Sequence, residues 1–269
     1  MGKRMGVRRL ESLMDNLLDH APLNGINGSQ FVLCDPDRFH LHETFSRRPG
    51  VNGSIAVAFN LDFELLGTNH SDDDATYSST IAGIQIQTDG SDNDRIVIAP
   101  HLDTNQTAWT GCKWGTENQV QWECMIRTDA SIADMGFHAG LKLTNTETYA
   151  TDANQAYFLY SADDDAGALT TNANLPFVYS VAGVDYITDL GIAVAAATNY
   201  RLAISIDSDR KVSVYVNGEQ YSLVVAAAAG GGTVSPAKGE QKSVALTNDI
   251  DLIPYIGVIA RTGSAKTLH

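Results

Sequence analysis

Two runs of strict alternation meet at Asn217-Gly218. Val212, Val214 and Val216 occupy every second position of the first, and a third apolar-rich run, Gln220 to Val225, follows directly. Leu202, Ile204 and Ile206 alternate in the same way just upstream, with Asp207-Ser208-Asp209-Arg210 between. Successive side chains of a strand point to opposite faces, so a period of two means one face to bury and one to wet. Asn-Gly tolerates the positive φ values of a type I′ turn, whose twist matches the flanking strands. The pattern therefore predicts a three-stranded antiparallel meander over 202–225, and a meander cannot bury its apolar face alone. It needs a second layer.

The rest of the chain offers that layer. Odd positions from Ile55 to Leu65 are apolar (Ile55, Val57, Phe59, Leu61, Phe63, Leu65) and the even ones mostly polar or small, which predicts one long half-wet strand. Ile81–Thr88 and Arg95–Ala99 flank the turn-rich 89–94 and read as a hairpin. Val120–Arg127 alternates again, Gly136–Asn145 and Ala156–Ala162 read as strands, and Phe177–Tyr186 as a second hairpin. Residues 226–243 are Ala-, Gly- and Pro-rich and read as a loop, after which Leu252–Arg261 returns as a strand. Helical spacing is confined to residues 7–20, where Leu10, Leu13, Met14, Leu17 and Leu18 form a stripe that Pro22 ends. Residues 21–50 read as an extended arm. About a dozen strands with almost no helix predict an all-β, two-sheet antiparallel jelly-roll sandwich over 51–269, preceded by a basic arm with a short N-terminal helix over 1–50. No fixed period repeats, which excludes propellers and solenoids.

Charge divides along the chain. The 269 residues carry 18 Lys+Arg and 32 Asp+Glu, a net of −14. Residues 1–50 hold 7 basic and 6 acidic groups (+1), leaving 18 − 7 = 11 against 32 − 6 = 26 beyond them (−15). So acidic a body repels nucleic acid and anionic membranes, and no run of about 18 apolar residues is present to span a bilayer. The start is the opposite: Lys3, Arg4, Arg8 and Arg9, with no acid among the first nine residues. That makes Lys3, Arg4, Arg8, Arg9, Leu10, Leu13 and Leu17 the candidate docking residues for an acidic protein partner. No apolar h-region of a secretory signal follows those charges. Cys34, Cys112 and Cys124 are odd in number and unpaired in spacing, which fits assembly in a reducing cytoplasm better than secretion.

Chemistry-bearing patterns are sparse. Glycoside hydrolysis needs two carboxylates about the scissile bond. Asp62 and Glu64 share one strand face and Glu123 stands alone on another, the ordinary places for wet carboxylates. His40 and His42 sit at strand spacing but inside the expected arm. Asp72–Asp74, Asp163–Asp165 and the group Asp89, Asp92, Asp94 offer oxygens that a structural calcium could use, but they lack the calcium-loop spacing and read as solvated turns. The expectation is no catalytic residue, no metal ligand and no cofactor. Phosphate loops and nucleophile elbows are absent from the sequence as well. Trp109, Trp114 and Trp122 fall within fourteen positions. Trp122 alternates with the buried set, whereas Trp109 and Trp114 are candidates either to stack on a sugar ring or to plug the end of the sandwich.

Two resemblances add to this reading. The stretch from Asn199 to Gly218, ending in Val-Asn-Gly, resembles the meander of concanavalin A-like (laminin G-like) jelly rolls. Several segments are similar to those of structural proteins of tailed marine phages: the basic start Lys3 to Leu10, Ile98 to Asp103, Gln106 to Trp109, Trp114 to Glu117, Trp122 to Cys124 and Gly140 to Asn145. What the second resemblance implies is a non-enzymatic virion protein made in the host cytoplasm and decorating the capsid surface. Its partners would be the major capsid protein, through the arm, and further copies of itself. The alternative is a lectin-like domain of a tail or head fibre that binds glycans for host attachment. A depolymerase using Asp62 and Glu64 is the third reading.

Overall fold

The computed structural model describes residues 43–45, 51–52, 63–67, 70–78, 81, 83–100, 114–144, 146–148, 152–162, 173–227, 233–234 and 238–269. The expected N-terminal helix and nearly all of the arm lie outside them. Two compact units divide the chain, Met1–Thr44 and Phe45–His269, and almost every described residue belongs to the second.

Among the described residues the regular elements of the second unit are all strands apart from one 3₁₀ turn at Asp72–Asp74. In chain order the strands are β1 Val51–Asn52, β2 Phe63–Gly67, β3 Ala75–Tyr77, β4 Ile84–Gln87, β5 Arg95–Ala99, β6 Trp114–Gly115, β7 Gln121–Arg127, β8 Met135–Lys142 and β9 Gln155–Ser161. They continue as β10 Asn174–Val181, β11 Val184–Ala193, β12 Asn199–Ile206, β13 Val212–Val216, β14 Glu219–Tyr221, β15 Thr233–Val234, β16 Asp251–Ala260 and β17 Thr267–Leu268. One sheet has the order β1-β2-β5-β16-β8-β9-β10-β11-β15, with β6 also paired to β16. It is antiparallel except at the outer pairs β1/β2 and β11/β15.

Facing it are the order β14-β13-β12-β7 and the order β17-β4-β3. These two are one layer. Arg127 N–H donates to the His269 carbonyl (2.7 Å) and His269 N–H to the Arg127 carbonyl (3.0 Å), an antiparallel exchange that joins β7 to the end of β17. Thr267 N–H donates to Asp129 Oδ2 beside it (2.9 Å). The result is a seven-stranded face opposite the large sheet. Their shared core takes Phe137, Phe158, Phe177 and Val258 from one side and Leu202, Ile204, Val214, Ile86 and Leu268 from the other.

The meander forms as the alternation predicts. Leu202, Ile204 and Ile206 pair with Val216, Val214 and Val212, and all six are buried. Asn217 (φ 52°) and Gly218 (φ 84°) both take positive φ at its turn. The second expected hairpin is β10–β11, closed by Ala182 (φ 51°) and Gly183 (φ 83°). The expected hairpin about 89–94 does not form. β4 belongs to the seven-stranded face and β5 to the large sheet, so this turn is a corner between layers rather than a hairpin within one. Both segments carry turn residues; the layer each strand joins is set by distant partners.

The alternation over 55–65 is described only from Phe63 onward, and there it is not half-wet. Glu64, on the face opposite Phe63 and Leu65, is buried. The same holds across the middle of the large sheet, where every residue of β8 and β9 is buried. Its second face carries another apolar cluster, including Val97, Tyr157, Leu159, Val178, Tyr255 and Ile259.

Candidate functional site

The docking residues expected from sequence, Lys3, Arg4, Arg8, Arg9, Leu10, Leu13 and Leu17, lie outside the described residues, as do His40, His42, Asp62, Trp109 and Asp163–Asp165. Trp114 is half-buried on β6, with its backbone paired to Leu252 and its ring packed against the core. Trp122 also packs on the core. Cys124, likewise half-buried, has its thiol pKa raised by burial and then by the neighbouring Glu123 charge, which makes it an unreactive filler.

The acidic turns are held by their own hydrogen bonds. Ser71 N–H donates to Asp74 Oδ2 (2.6 Å), and Asp89 N–H donates to Asp94 Oδ2 (2.6 Å). Asp94 is buried, and desolvation raises its carboxyl pKa above the ordinary value. Among the described residues no three His, Cys, Asp or Glu side chains gather to hold a metal ion. Glu64, the described half of the expected carboxylate pair, is on the second face of the large sheet and buried.

The polar side chains that do share one exposed surface are on the outer side of β7, β12, β13 and β14. Register builds this surface directly. Because Leu202, Ile204, Val214 and Tyr221 point inward, Arg201, Ala203, Ser205, Tyr215 and Gln220 must point outward. Pairing then aligns Glu123 with Ala203, Ala203 with Tyr215, and Tyr215 with Gln220 in one row across four strands. Gln121 and Ser205 form the adjacent row. Neighbouring strands are roughly 4.8 Å apart, so Glu123 and Tyr215 stand about 10 Å from each other with only the Ala203 methyl between them. The row is a trough: a carboxylate on one wall, an aromatic ring on the other, and a small floor.

Arg201 completes the wall. Its Nε donates to Glu123 Oε1 (2.6 Å) and its Nη2 to Glu123 Oε2 (2.9 Å), a bidentate fork that raises the already high guanidinium pKa. Both side chains are more than half exposed (56% and 51%), so the pair contributes little to stability and keeps its remaining donors and lone pairs toward solvent. Its base is fixed from behind, since Arg201 N–H donates to Asn217 Oδ1 (2.9 Å) at the meander turn. Beyond the trough, Met125 is 67% exposed next to Arg201. On the opposite flank Lys242 Nζ meets Asp207 Oδ2 (2.7 Å).

This surface departs from the charge of the molecule. The outward positions of β7, β12 and β13 carry one carboxylate, Glu123, and two guanidiniums, Arg127 and Arg201, on a chain whose net charge is −14. Amides and hydroxyls supply the rest of its polar groups. The sequence signal for this site was present in the alternation itself, which placed Glu123 on a wet face. Arg201 and Tyr215 were missed because pairing them with Glu123 needs the order β13-β12-β7, and β7 is some eighty residues away in the chain.

No protein-family model matches the chain, and neither does any curated protein. Among solved structures it is similar to the Emp46p carbohydrate recognition domain in its potassium-bound form, at 8% identity over 77% of this chain and 85% of that one, with a TM-score of 0.43. It is also similar to an endo-beta-1,4-glucuronan lyase from the fungus Trichoderma reesei (9% identity, 76% and 83% covered, TM-score 0.43). A carbohydrate esterase from the Shiga toxin-encoding bacteriophage phi24B is a third (14%, 77% and 87%, TM-score 0.35). All three TM-scores lie below 0.5, and no ligand or reaction passes from these proteins to this chain.

Proposed function

We propose that this chain is a non-enzymatic glycan-recognition module that receives its ligand in the trough above Ala203. The observation that carries the reading is the row Glu123–Ala203–Tyr215–Gln220, a half-buried aromatic and two hydrogen-bonding side chains fixed by strand register about a small floor. A sugar ring offers an apolar face of C–H groups and an edge of hydroxyls. Tyr215 supports the first, while Glu123, Arg201, Gln220 and Gln121 support the second. The strands hold these groups in place before the ligand arrives, so little side-chain entropy is lost on binding.

Hydrolysis is disfavoured by the same geometry. It requires a second carboxylate across the scissile bond, and the trough contains Glu123 alone, already engaged by Arg201. Soluble protein is expected to bind members of a glycan array. Tyr215→Ala should weaken that binding about tenfold, the equivalent of roughly 1.4 kcal/mol of lost stacking, while the chain still unfolds in one cooperative transition. An array on which the intact protein binds nothing would end the reading.

The charge split of the sequence supports a second reading, which is compatible with the first. The net charges of +1 over residues 1–50 and −15 beyond them suit a virion protein anchored by Lys3, Arg4, Arg8 and Arg9 to an acidic capsid surface, with the sandwich displayed outward as a homo-oligomer. A chain lacking residues 1–20 should fold and fail to join particles, and attachment of the intact chain should weaken as salt rises. Normal occupancy by the truncated chain would remove this reading.

A further inference from the structure

Resting on the glycan reading of the trough, we infer that its ligand class is an uncharged glycan presenting a vicinal diol, and not a uronic acid or sulfated polymer. The Glu123–Arg201 fork is the reason. Arg201 spends Nε–H and one Nη2–H on Glu123. It retains the other Nη2–H and both Nη1–H groups, while each Glu123 oxygen keeps a lone pair. Free donors and free acceptors therefore lie side by side on the outward edge of one planar, charge-neutral unit. Two adjacent hydroxyls, each both donor and acceptor, match that edge.

An anionic sugar does not match it. A ligand carboxylate or sulfate could reach Arg201 only at its Nη1/Nη2 edge, where the Glu123 charge stands beside it and repels it. The body around it carries −15 of net charge beyond residue 50 and repels a polyanion at long range. Selectivity here comes from a built-in competitor: the protein's own carboxylate neutralises the guanidinium and repels a second anion beside it.

The test is titration of the full chain with neutral oligosaccharides (gluco-, galacto- and manno-configured) and with oligogalacturonate and chondroitin sulfate, at about 50 and about 500 mM NaCl, a range over which screening between exposed charges changes strongly. The expected result is binding of at least one neutral series, changing less than twofold with salt, and none of the two anionic ones. Glu123→Gln should then weaken the neutral ligand tenfold or more and admit oligogalacturonate in a salt-sensitive manner. Ala203→Phe, which fills the trough without touching the core, should abolish both. Salt-sensitive binding of an anionic series by the unaltered chain would overturn the selectivity argument and leave glycan recognition standing. Binding of neither series would overturn both.

Discussion

His138 is the side chain whose placement constrains its surroundings most. It lies wholly buried on the second face of the large sheet, with its ring tilted against Tyr255 at a centroid distance of 5.2 Å. Directly across the ladder is Gly257, and a Cβ there would overlap the imidazole at Nε2 and Cε1. Burial lowers the His138 pKa well below its ordinary 6.5, and the charges of Lys142, Arg95 and Arg261 lower it further. The folded state therefore binds the imidazole proton less well than the unfolded one. This stability contribution is complete above pH 6.5 and is lost progressively as pH falls toward the depressed folded value. Thermal midpoints measured from about pH 7.5 down to about pH 5 should fall for the natural chain and fall less for His138→Phe; parallel curves would show that His138 is not the group responsible. Lys142 next to it has its pKa lowered by burial to about 8, yet it donates to the Thr146 carbonyl (2.6 Å), Thr146 Oγ1 (3.2 Å) and the Thr148 carbonyl (2.7 Å). Its ammonium is spent on tying down its own loop. None of this was legible in the sequence, where His138 and Lys142 read as alternate residues of an ordinary strand.

Turns decide how strands become elements. At Asn217-Gly218 the side chain of Asn217 accepts from Arg201 N–H, so the turn both reverses the chain and fixes the base of the trough wall. A Cβ added to Gly218 would meet open space, but the residue holds φ at 84°. Gly218→Ala should therefore cost about 1–2 kcal/mol through backbone conformation alone, read as a lower urea midpoint with an unchanged m value. A loss much larger than that would mean the methyl meets something the folded chain does not show. The Asp89–Asp94 segment carries equally strong turn residues and makes a corner instead. Its outcome depends on Leu268 and Thr267 of β17 pairing with Ile86 and Gln87 of β4, and on β2 and β16 claiming β5. Sequence separation explains the difference in legibility: the meander is closed by partners close along the chain, the corner largely by partners from its far end.

Across the whole molecule the last strand is a joint. β17 pairs with β4, its following residue exchanges two backbone hydrogen bonds with Arg127 of β7, and Leu268 is buried in the core. Removing residues 267–269 should cost about 3 kcal/mol or more, from one buried leucine and several ladder bonds, and should raise hydrogen exchange in both β4 and β7. Protection unchanged in β7 would show that the two halves of that face are held independently. The sequence by itself determined the period of two, the meander, the Ala182-Gly183 hairpin and the charge division, because each is written in neighbours along the chain. Tertiary structure alone decided that the middle of the large sheet is buried on both faces, that the 89–94 turn is a corner, and that Tyr215 and Arg201 stand with Glu123 about Ala203. Alternation fixes which way a side chain points relative to its neighbours. Which strand lies beside it, and whether anything covers it, is set by packing between segments far apart in the chain.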